Sequence, residues 1–266
     1  MDLGLKGRTA LVTGSWRGTG AGIAECLARE GARVLVHGLL PDQNREVCEH
    51  LAGQSLDVLG VTGDITTDAG ADQLVDECQA VTDRVDILIN NYGVAEGGDW
   101  TATPTAEWVG IYQKNVLSGV RLVHALAPGM RESGYGRIVF LGTVGSLRPN
   151  ARMPHYYASK AVLPNVCVSL ARELRSTGIT VNLVSPGIIA TAEVQASLRQ
   201  RALKRGWGDD DAAMERAAAD LFDSPTGRIA EIQEVAAVVA FVASSRAGYV
   251  NGANIRVDGG AADCAL

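Results

Sequence analysis

The 266-residue sequence predicts an α/β chain in which a parallel sheet is covered by helices on both faces. Three observations carry that expectation. Short, almost continuously apolar runs alternate with stretches of helical period, which is the pattern of strands buried on both sides. The first such run ends in a glycine-rich turn that opens a helix, and a second strand follows, giving a βαβ unit within about thirty residues. The alternation then runs to the C-terminus without a low-complexity linker or an internal repeat.

In order, Thr9–Val12 reads as the first strand, ending in Thr13-Gly14-Ser15-Trp16-Arg17-Gly18-Thr19-Gly20. Ile23, Leu27 and Ala28 share the face of the helix that follows, and Gly31 stands where a helix C′ glycine belongs. Further strands are expected at Arg33–His37, Val58–Val61, Val85–Ile89, Arg137–Leu141 and Ile179–Val184, with helices around Ala69–Thr82 and Thr105–Arg131. A helix carrying Tyr156 precedes the Ile179 strand, and Pro164 is expected to kink it one turn after Lys160. From Ile188 to Ile229 the rhythm breaks into a long, charged excursion with Trp207, Leu221 and Phe222, expected to be a lid or binding loop. A helix at Glu231–Ala243 and a strand at Ala253–Val257 complete residues 1–266, read as a single doubly wound Rossmann-type domain. Ligands of such folds bind at the carboxyl ends of the strands.

Composition narrows the function. Hydrophobic residues make up 47% and charged residues 20%, as in globular domains. A net charge of −6 offers no basic footprint for nucleic acid. The apolar runs are too short to span a bilayer, and the N-terminus lacks a signal-peptide layout. Cys26, Cys48, Cys78, Cys167 and Cys264 are scattered, with no Cys-x-x-Cys, and read as reduced thiols of a cytoplasmic protein. His37, His50, His124 and His155 lack partners at metal-ligand spacing, so no metal site is expected.

Two stretches carry chemistry. In His155-Tyr156-Tyr157-Ala158-Ser159-Lys160, Tyr156 and Lys160 stand four apart on one helix face. A neighbouring ammonium favours the phenolate, so the spacing predicts a phenol pKa drawn down from near 10 towards the operating pH of a proton-transfer catalyst. Tyr157, offset by three from Lys160, is the second choice. The turn Gly14–Gly20 lies after a strand and opens a helix, the context in which backbone amides cradle a pyrophosphate.

With these stretches, the chain resembles the short-chain dehydrogenase/reductase family over essentially its whole length, in the 3-oxoacyl-acyl-carrier-protein reductase-like branch. Thr13-Gly14-x-x-x-Gly18-x-Gly20 resembles the family's cofactor turn, and Asn90-Asn91-Tyr92-Gly93 its element after the fourth strand. Tyr156-x-x-x-Lys160 matches its signature pair, Pro186-Gly187-x-Ile189-x-Thr191 its nicotinamide-side loop, and Val257-Asp258-Gly259-Gly260 its C-terminal element. The resemblance implies an oxidoreductase that moves a hydride between a nicotinamide cofactor and a ketone or secondary alcohol, small molecule or thioester. It implies Tyr156 as acid/base, Lys160 lowering its pKa and bonding the nicotinamide ribose, and Asn115 holding a water in the proton path. It places Gly14, Ser15, Trp16, Arg17, Gly18, Thr19, Gly20, Asp64, Ile65, Asn91, Tyr92, Gly93, Pro186, Gly187, Ile189 and Thr191 at the cofactor, with Asp64 facing adenine. It also implies a homotetramer.

Departures from the family pattern sharpen the expectations. The family's carbonyl-orienting Ser, thirteen positions before the Tyr, is here Thr143, which keeps the hydroxyl; Ser146 is the fallback. Tyr92 replaces an Ala beside the adenosine. After the second strand, His37-Gly38-Leu39 lacks the Asp that would accept from a ribose 2′-OH, whereas Arg17, helped by His37, can pair with a 2′-phosphate. NADP(H) is therefore expected over NAD(H). Substrate contacts are expected from Thr143, Gly145, Met153 and Tyr156, with Val144, Arg148, Ile188, Trp207 and Phe222 as further pocket candidates and Arg152 flanking the approach. The alternatives are an NAD-linked alcohol dehydrogenase running oxidatively and a dinucleotide-binding scaffold or sensor with little turnover.

Overall fold

A computed structural model describes residues 1–147 and 151–263 of the chain. Its sheet contains β1 (Thr9–Val12), β2 (Arg33–Gly38), β3 (Val58–Thr62), β4 (Ile87–Asn90), β5 (Gly136–Leu141), β6 (Ile179–Pro186) and β7 (Asn254–Val257). All are parallel, in the order β3-β2-β1-β4-β5-β6-β7. The order reverses between β1 and β4, whose register pairs Leu11 with Leu88, and a crevice opens at their carboxyl ends.

Side chains alternate across each strand and build one apolar layer on each face. On one face Val12, Val34, Val36, Ile89 and Val184 meet Ile23 and Leu27 of α1 (Gly18–Arg29) and Val235 and Val239 of α10 (Ile232–Val242). On the other, Leu11, Leu35, Leu88, Phe140 and Leu183 meet α3 (Asp68–Val81), α5 (Ser118–Ser133) and α7 (Leu163–Glu173) through Leu74, Leu122 and Cys167. The start of α10 is fixed by a reciprocal capping box between Glu231 and Glu234.

Each expected strand is present with ends shifted by at most two residues, and three helical regions differ from expectation. Helix α2 (Arg45–Gly53), between β2 and β3, has no counterpart in the sequence reading, because only Leu51 of it is fully buried and the apolar stripe is too thin to register. The single helix expected over Thr105–Arg131 is α4 (Thr105–Tyr112), a π-helical turn at Gln113–Leu117, and then α5, which ends at left-handed Gly134. The excursion after Ile188 is a helical pair, α8 (Ala192–Lys204) and α9 (Asp211–Leu221), with its own small core of Leu198, Ala202, Ala213, Ala217 and Ala218.

The helix carrying Tyr156 breaks at Val162, between α6 (Pro154–Ala161) and α7, two residues before Pro164, which sits in the first turn of α7 where its missing N–H is tolerated. Cys26, Cys48, Cys78 and Cys167 are free thiols, and Arg148 and Cys264 lie outside the described residues. Among the described residues no helix is long and apolar enough to cross a membrane.

Candidate active site

The glycine turn sits in the crevice and is braced from both neighbouring strands. From β4, Asn91 Nδ2 donates to the carbonyls of Thr13 (2.8 Å) and Gly14 (3.1 Å), and the Tyr92 N–H donates to Thr13 Oγ1 (2.9 Å). From β2, the His37 N–H donates to Ser15 Oγ (2.9 Å), which itself donates to the Val12 carbonyl (2.7 Å). Gly20 allows α1 to start against the turn, since a Cβ there would collide with the Gly14 carbonyl oxygen and lie 2.5 Å from Asn91 Nδ2. Arg17 caps α1 without a side-chain hydrogen bond, so no capping side chain takes up the first amides of the helix, an arrangement suited to a phosphate.

His37 departs from its expected role. It is fully buried, with Nδ1 accepting from the Gly14 N–H (3.0 Å) and Nε2 facing the Gly63 carbonyl (2.9 Å), which assigns the proton to Nε2. Both ring nitrogens are spent within the protein, so His37 shapes the turn and has none left for a 2′-phosphate. Burial pushes its pKa down to about 4, against the partly offsetting Gly63 contact. An unfolded chain titrates this ring near 6.5, so between those values the unfolded state binds more protons and stability falls as the pH drops. The whole fall amounts to about 3 kcal/mol. Urea midpoints of the native protein are therefore expected to drop more steeply than those of His37→Gln between neutral pH and about pH 4. Parallel curves would refute the assignment.

At the other side of the crevice α6 presents Tyr156 and Lys160. Thr143, just past β5, is brought to Tyr156 and hydrogen-bonds its phenol oxygen. Thr143 Oγ1 also accepts from the Gly145 N–H (3.1 Å), so the hydroxyl proton is left to point at the phenol or at a substrate oxygen. The fallback Ser146 is occupied elsewhere, donating to the Thr143 carbonyl at 2.7 Å.

The phenol pKa runs opposite to the sequence expectation. Burial and the adjacent Tyr157 push it up to about 12, with the Thr143 hydroxyl pulling the other way. Lys160 does not reverse this, because its ammonium is itself buried, is pushed down to about 8 by desolvation, and donates to the Leu141 carbonyl at 2.8 Å. At neutral pH the pair is a protonated phenol above a buried cation.

The π-helical turn places Asn115 behind this pair. Its Oδ1 accepts from the Val94 N–H (2.7 Å), and its Nδ2 donates to the Val94 carbonyl (3.0 Å) and to Ser159 Oγ (3.0 Å). Ser159 in turn donates to the Tyr156 carbonyl at 2.7 Å. Ser159 lies in the Tyr156–Lys160 stretch but has no role in the sequence analysis, although its position three after Tyr156 on the same helix is a usable signal.

Of the expected substrate contacts, Met153 is the left-handed N-cap of α6 and donates its N–H to the Gly98 carbonyl (2.9 Å). Gly145 is covered by the Tyr157 ring, with which any Cβ at that position would collide. Its contribution is therefore its amide on Thr143 and not an open pocket wall. Gly145→Ala is expected to destabilise the fold by about 1–3 kcal/mol and to lower turnover. Unchanged denaturant midpoints and kcat would show that the ring yields.

The remaining residues expected at the cofactor fall in three groups near the carboxyl ends of the strands. Asp64 Oδ1 accepts from the N–H and hydroxyl of Thr66, and Ile65 is buried in the core below. Tyr92 packs on Trp16 with ring centroids 6.2 Å apart, beside the turn at Gly14. Pro186 ends β6, Gly187 donates its N–H to the Val257 carbonyl (3.0 Å), Ile189 bridges to Ala230, and Thr191 caps α8. Past β2, the Leu39 and Leu40 amides both donate to Gln43 Oε1 (2.7 and 3.2 Å). Arg17 pairs with Glu193 of α8 at 2.7 Å.

These residues fit a dinucleotide. The turn is a backbone cradle closed to any Cβ at Gly20, and a Cβ at Gly93 would stand 2.8 Å from Asn115 Oδ1 and 3.0 Å from Lys160 Nζ, so the backbone there leaves room only for hydrogen.

The family model described as enoyl-(acyl carrier protein) reductase matches residues 14–262. The chain is 34% identical over 258 residues to the 3-oxoacyl-(acyl-carrier-protein) reductase of Escherichia coli (strain K12), covering 97% of this chain and 98% of that one. It is 32% identical over 265 residues to an uncharacterized oxidoreductase of Bacillus subtilis (strain 168), covering 98% of each. Among solved structures, L-sorbose reductase from Gluconobacter frateurii, complexed with NADPH and L-sorbose, superposes with a TM-score of 0.92 at 31% identity, covering 99% of this chain and 100% of that one. A 3-oxoacyl (acyl-carrier-protein) reductase from Agrobacterium tumefaciens with NADP bound gives 0.86 at 30% identity, covering 97% and 96%. With a family model over nearly the whole chain and full-length relatives above 30% identity, the chain belongs to the short-chain dehydrogenase/reductase family of oxidoreductases.

Proposed function

We propose that the protein reduces a ketone to a secondary alcohol with NADPH, using Tyr156 as the proton donor. The observation that carries this reading is the grouping of the Tyr156 phenol with the Thr143 hydroxyl and, four residues on along α6, the buried Lys160 ammonium. A carbonyl oxygen that gains charge needs a proton and a second donor, and these two hydroxyls supply them. NADPH, when bound, supplies the hydride to the carbonyl carbon.

Thr143 keeps its proton and donates a hydrogen bond from its hydroxyl to the carbonyl oxygen, orienting it, its own oxygen being held by the Gly145 amide. Tyr156 passes its phenolic proton to the same oxygen as the C–H bond forms, leaving a phenolate. The Lys160 ammonium stabilises that phenolate electrostatically, in a site dry enough for the charge to count. Asn115 fixes the Val94 backbone and Ser159, and keeps one Oδ1 lone pair for a water that returns a proton to the pair. Gly14–Gly20, Asn91, Tyr92, Gly93 and the Pro186–Thr191 loop hold the cofactor.

The choice of NADPH is supported by the absence of an Asp after β2, where Gly38 is followed by Leu39, and by Arg17 in the turn. The relatives solved with NADPH or NADP support it as well. The substrate panel follows from the relatives named above and from a gluconate 5-dehydrogenase of Burkholderia cenocepacia J2315 solved with NADP and tartrate: ketoses such as L-sorbose, keto-aldonates and 3-oxoacyl thioesters. Nicotinamide absorbance followed across that panel is expected to show turnover, with kcat/KM favouring NADPH over NADH by at least about tenfold. Comparable efficiency with both cofactors would contradict the cofactor choice.

We also propose, on the family resemblance, that the chain forms a homotetramer; a groove of about 660 Å³ between α5 and α7, walled by Val120, Val123, Ala127, Val166 and Leu170 and edged by Arg131, Glu132 and Glu173, contains no residue of the candidate site and is open to a second copy. Light scattering at micromolar concentration is expected to give the mass of four chains, and a monomer mass would end the claim.

A further inference from the structure

The basic side chain of the glycine turn, Arg17, already has a partner in the protein. Arg17 Nη1 lies 2.7 Å from Glu193 Oε1, joining the turn to the first turn of α8 across the mouth of the crevice. The two backbones approach closely there, since a side chain at Gly18 would already reach Thr191 Cγ2 with its first carbon, at 3.8 Å. The Glu193 carboxylate is held in place by its own backbone N–H and by the hydroxyl of Thr191, with Arg17 adding attraction. The other basic residue close after β2, Arg45, is already paired with Asp42.

Resting on the reading that Arg17 meets a 2′-phosphate, we propose that Glu193 is a specificity-determining residue. Its carboxylate competes with that phosphate for the Arg17 guanidinium, and so weakens NADPH binding without touching NADH. A guanidinium that makes a bidentate pair with phosphate gives up its best-placed donors to it. A carboxylate fixed beside the same fork must then lose Arg17 or stand next to a second anion. NADH carries a hydroxyl at this position and leaves the Arg17–Glu193 pair intact. The pair is half-exposed, at 66% and 54% side-chain accessibility, so water and salt temper its strength. The expected effect is about a two- to fivefold change in Kd.

The test is calorimetric titration of NADPH and of NADH into the native protein, Glu193→Gln, Arg17→Ala and the double variant. Glu193→Gln is expected to tighten NADPH by about two- to fivefold and to leave NADH unchanged. In the Arg17→Ala background the same change is expected to do nothing. Glu193 also lies in the first turn of α8, where a carboxylate supports the helix, but loss of that support would shift both cofactors together. An equal shift of both, or an unchanged NADPH Kd in Glu193→Gln beside a weakened one in Arg17→Ala, overturns the proposal and leaves the cofactor reading standing. An unchanged NADPH Kd in Arg17→Ala overturns both.

Discussion

Tyr156→Phe is expected to lower kcat by about 10²–10⁴-fold while NADPH still binds with a Kd close to that of the native protein. The ring stays, so its packing against Tyr157 (centroids 5.2 Å apart) and the Lys160–Leu141 hydrogen bond are kept. What is lost is the proton that the developing alkoxide takes. Calorimetry for binding and stopped-flow turnover for chemistry separate the two effects. Tyr157→Phe is the control: its hydroxyl has no part in the proton path, and turnover within about twofold of native is expected. If Tyr157→Phe is the dead variant and Tyr156→Phe the active one, the two tyrosines exchange roles and the mechanism falls.

Gly20→Ala is expected to abolish cofactor binding, with Kd rising by at least about 100-fold. Alanine is the better helix former by about 1 kcal/mol, which by itself would favour α1. Against this stands a Cβ driven into the Gly14 carbonyl oxygen and the Asn91 amide. Both are fixed from behind, Asn91 by two hydrogen bonds to the turn and Gly14 by His37. Neither is the free end of a flexible side chain, so the turn itself must move and the amide cradle opens. Titration with NADPH checks the binding, and circular dichroism shows whether the fold survives. Native affinity in a folded Gly20→Ala would mean that the cradle is not the cofactor site.

The strands and the site motifs were legible because both are local. Runs such as Arg33–His37 and Ile179–Val184 announce buried strands by composition alone, and Tyr156 and Lys160 share a face by spacing alone. Helix α2 was not legible, since its burial rests on Leu51 and the rest of its surface is polar. The π-helical turn at Gln113–Leu117 escaped because one extra residue in a turn barely disturbs an apolar period.

The electrostatic readings failed or stood incomplete for a different reason. The spacing of Tyr156 and Lys160 suggested a lowered phenol pKa, but the direction is set by how dry the site is, which three-dimensional packing decides. Likewise His37 sits where a phosphate ligand would in the sequence, yet both its nitrogens are claimed by Gly14 and by Gly63, beyond the end of β3. Glu193 meets Arg17 only because the excursion folds its first helix back over the glycine turn.

The most direct test of the account is label transfer. The protein is incubated with NADPH deuterated at C4 of the nicotinamide, on either face, and with the ketose, keto-aldonate and 3-oxoacyl thioester panel. The products are then weighed by mass spectrometry. The account predicts one deuterium at the former carbonyl carbon of the alcohol, from one face of the nicotinamide only, and a loss of that transfer in Tyr156→Phe and Thr143→Ala. NADPH bound with no label reaching any carbonyl, or transfer that persists at the native rate in both variants, would contradict it.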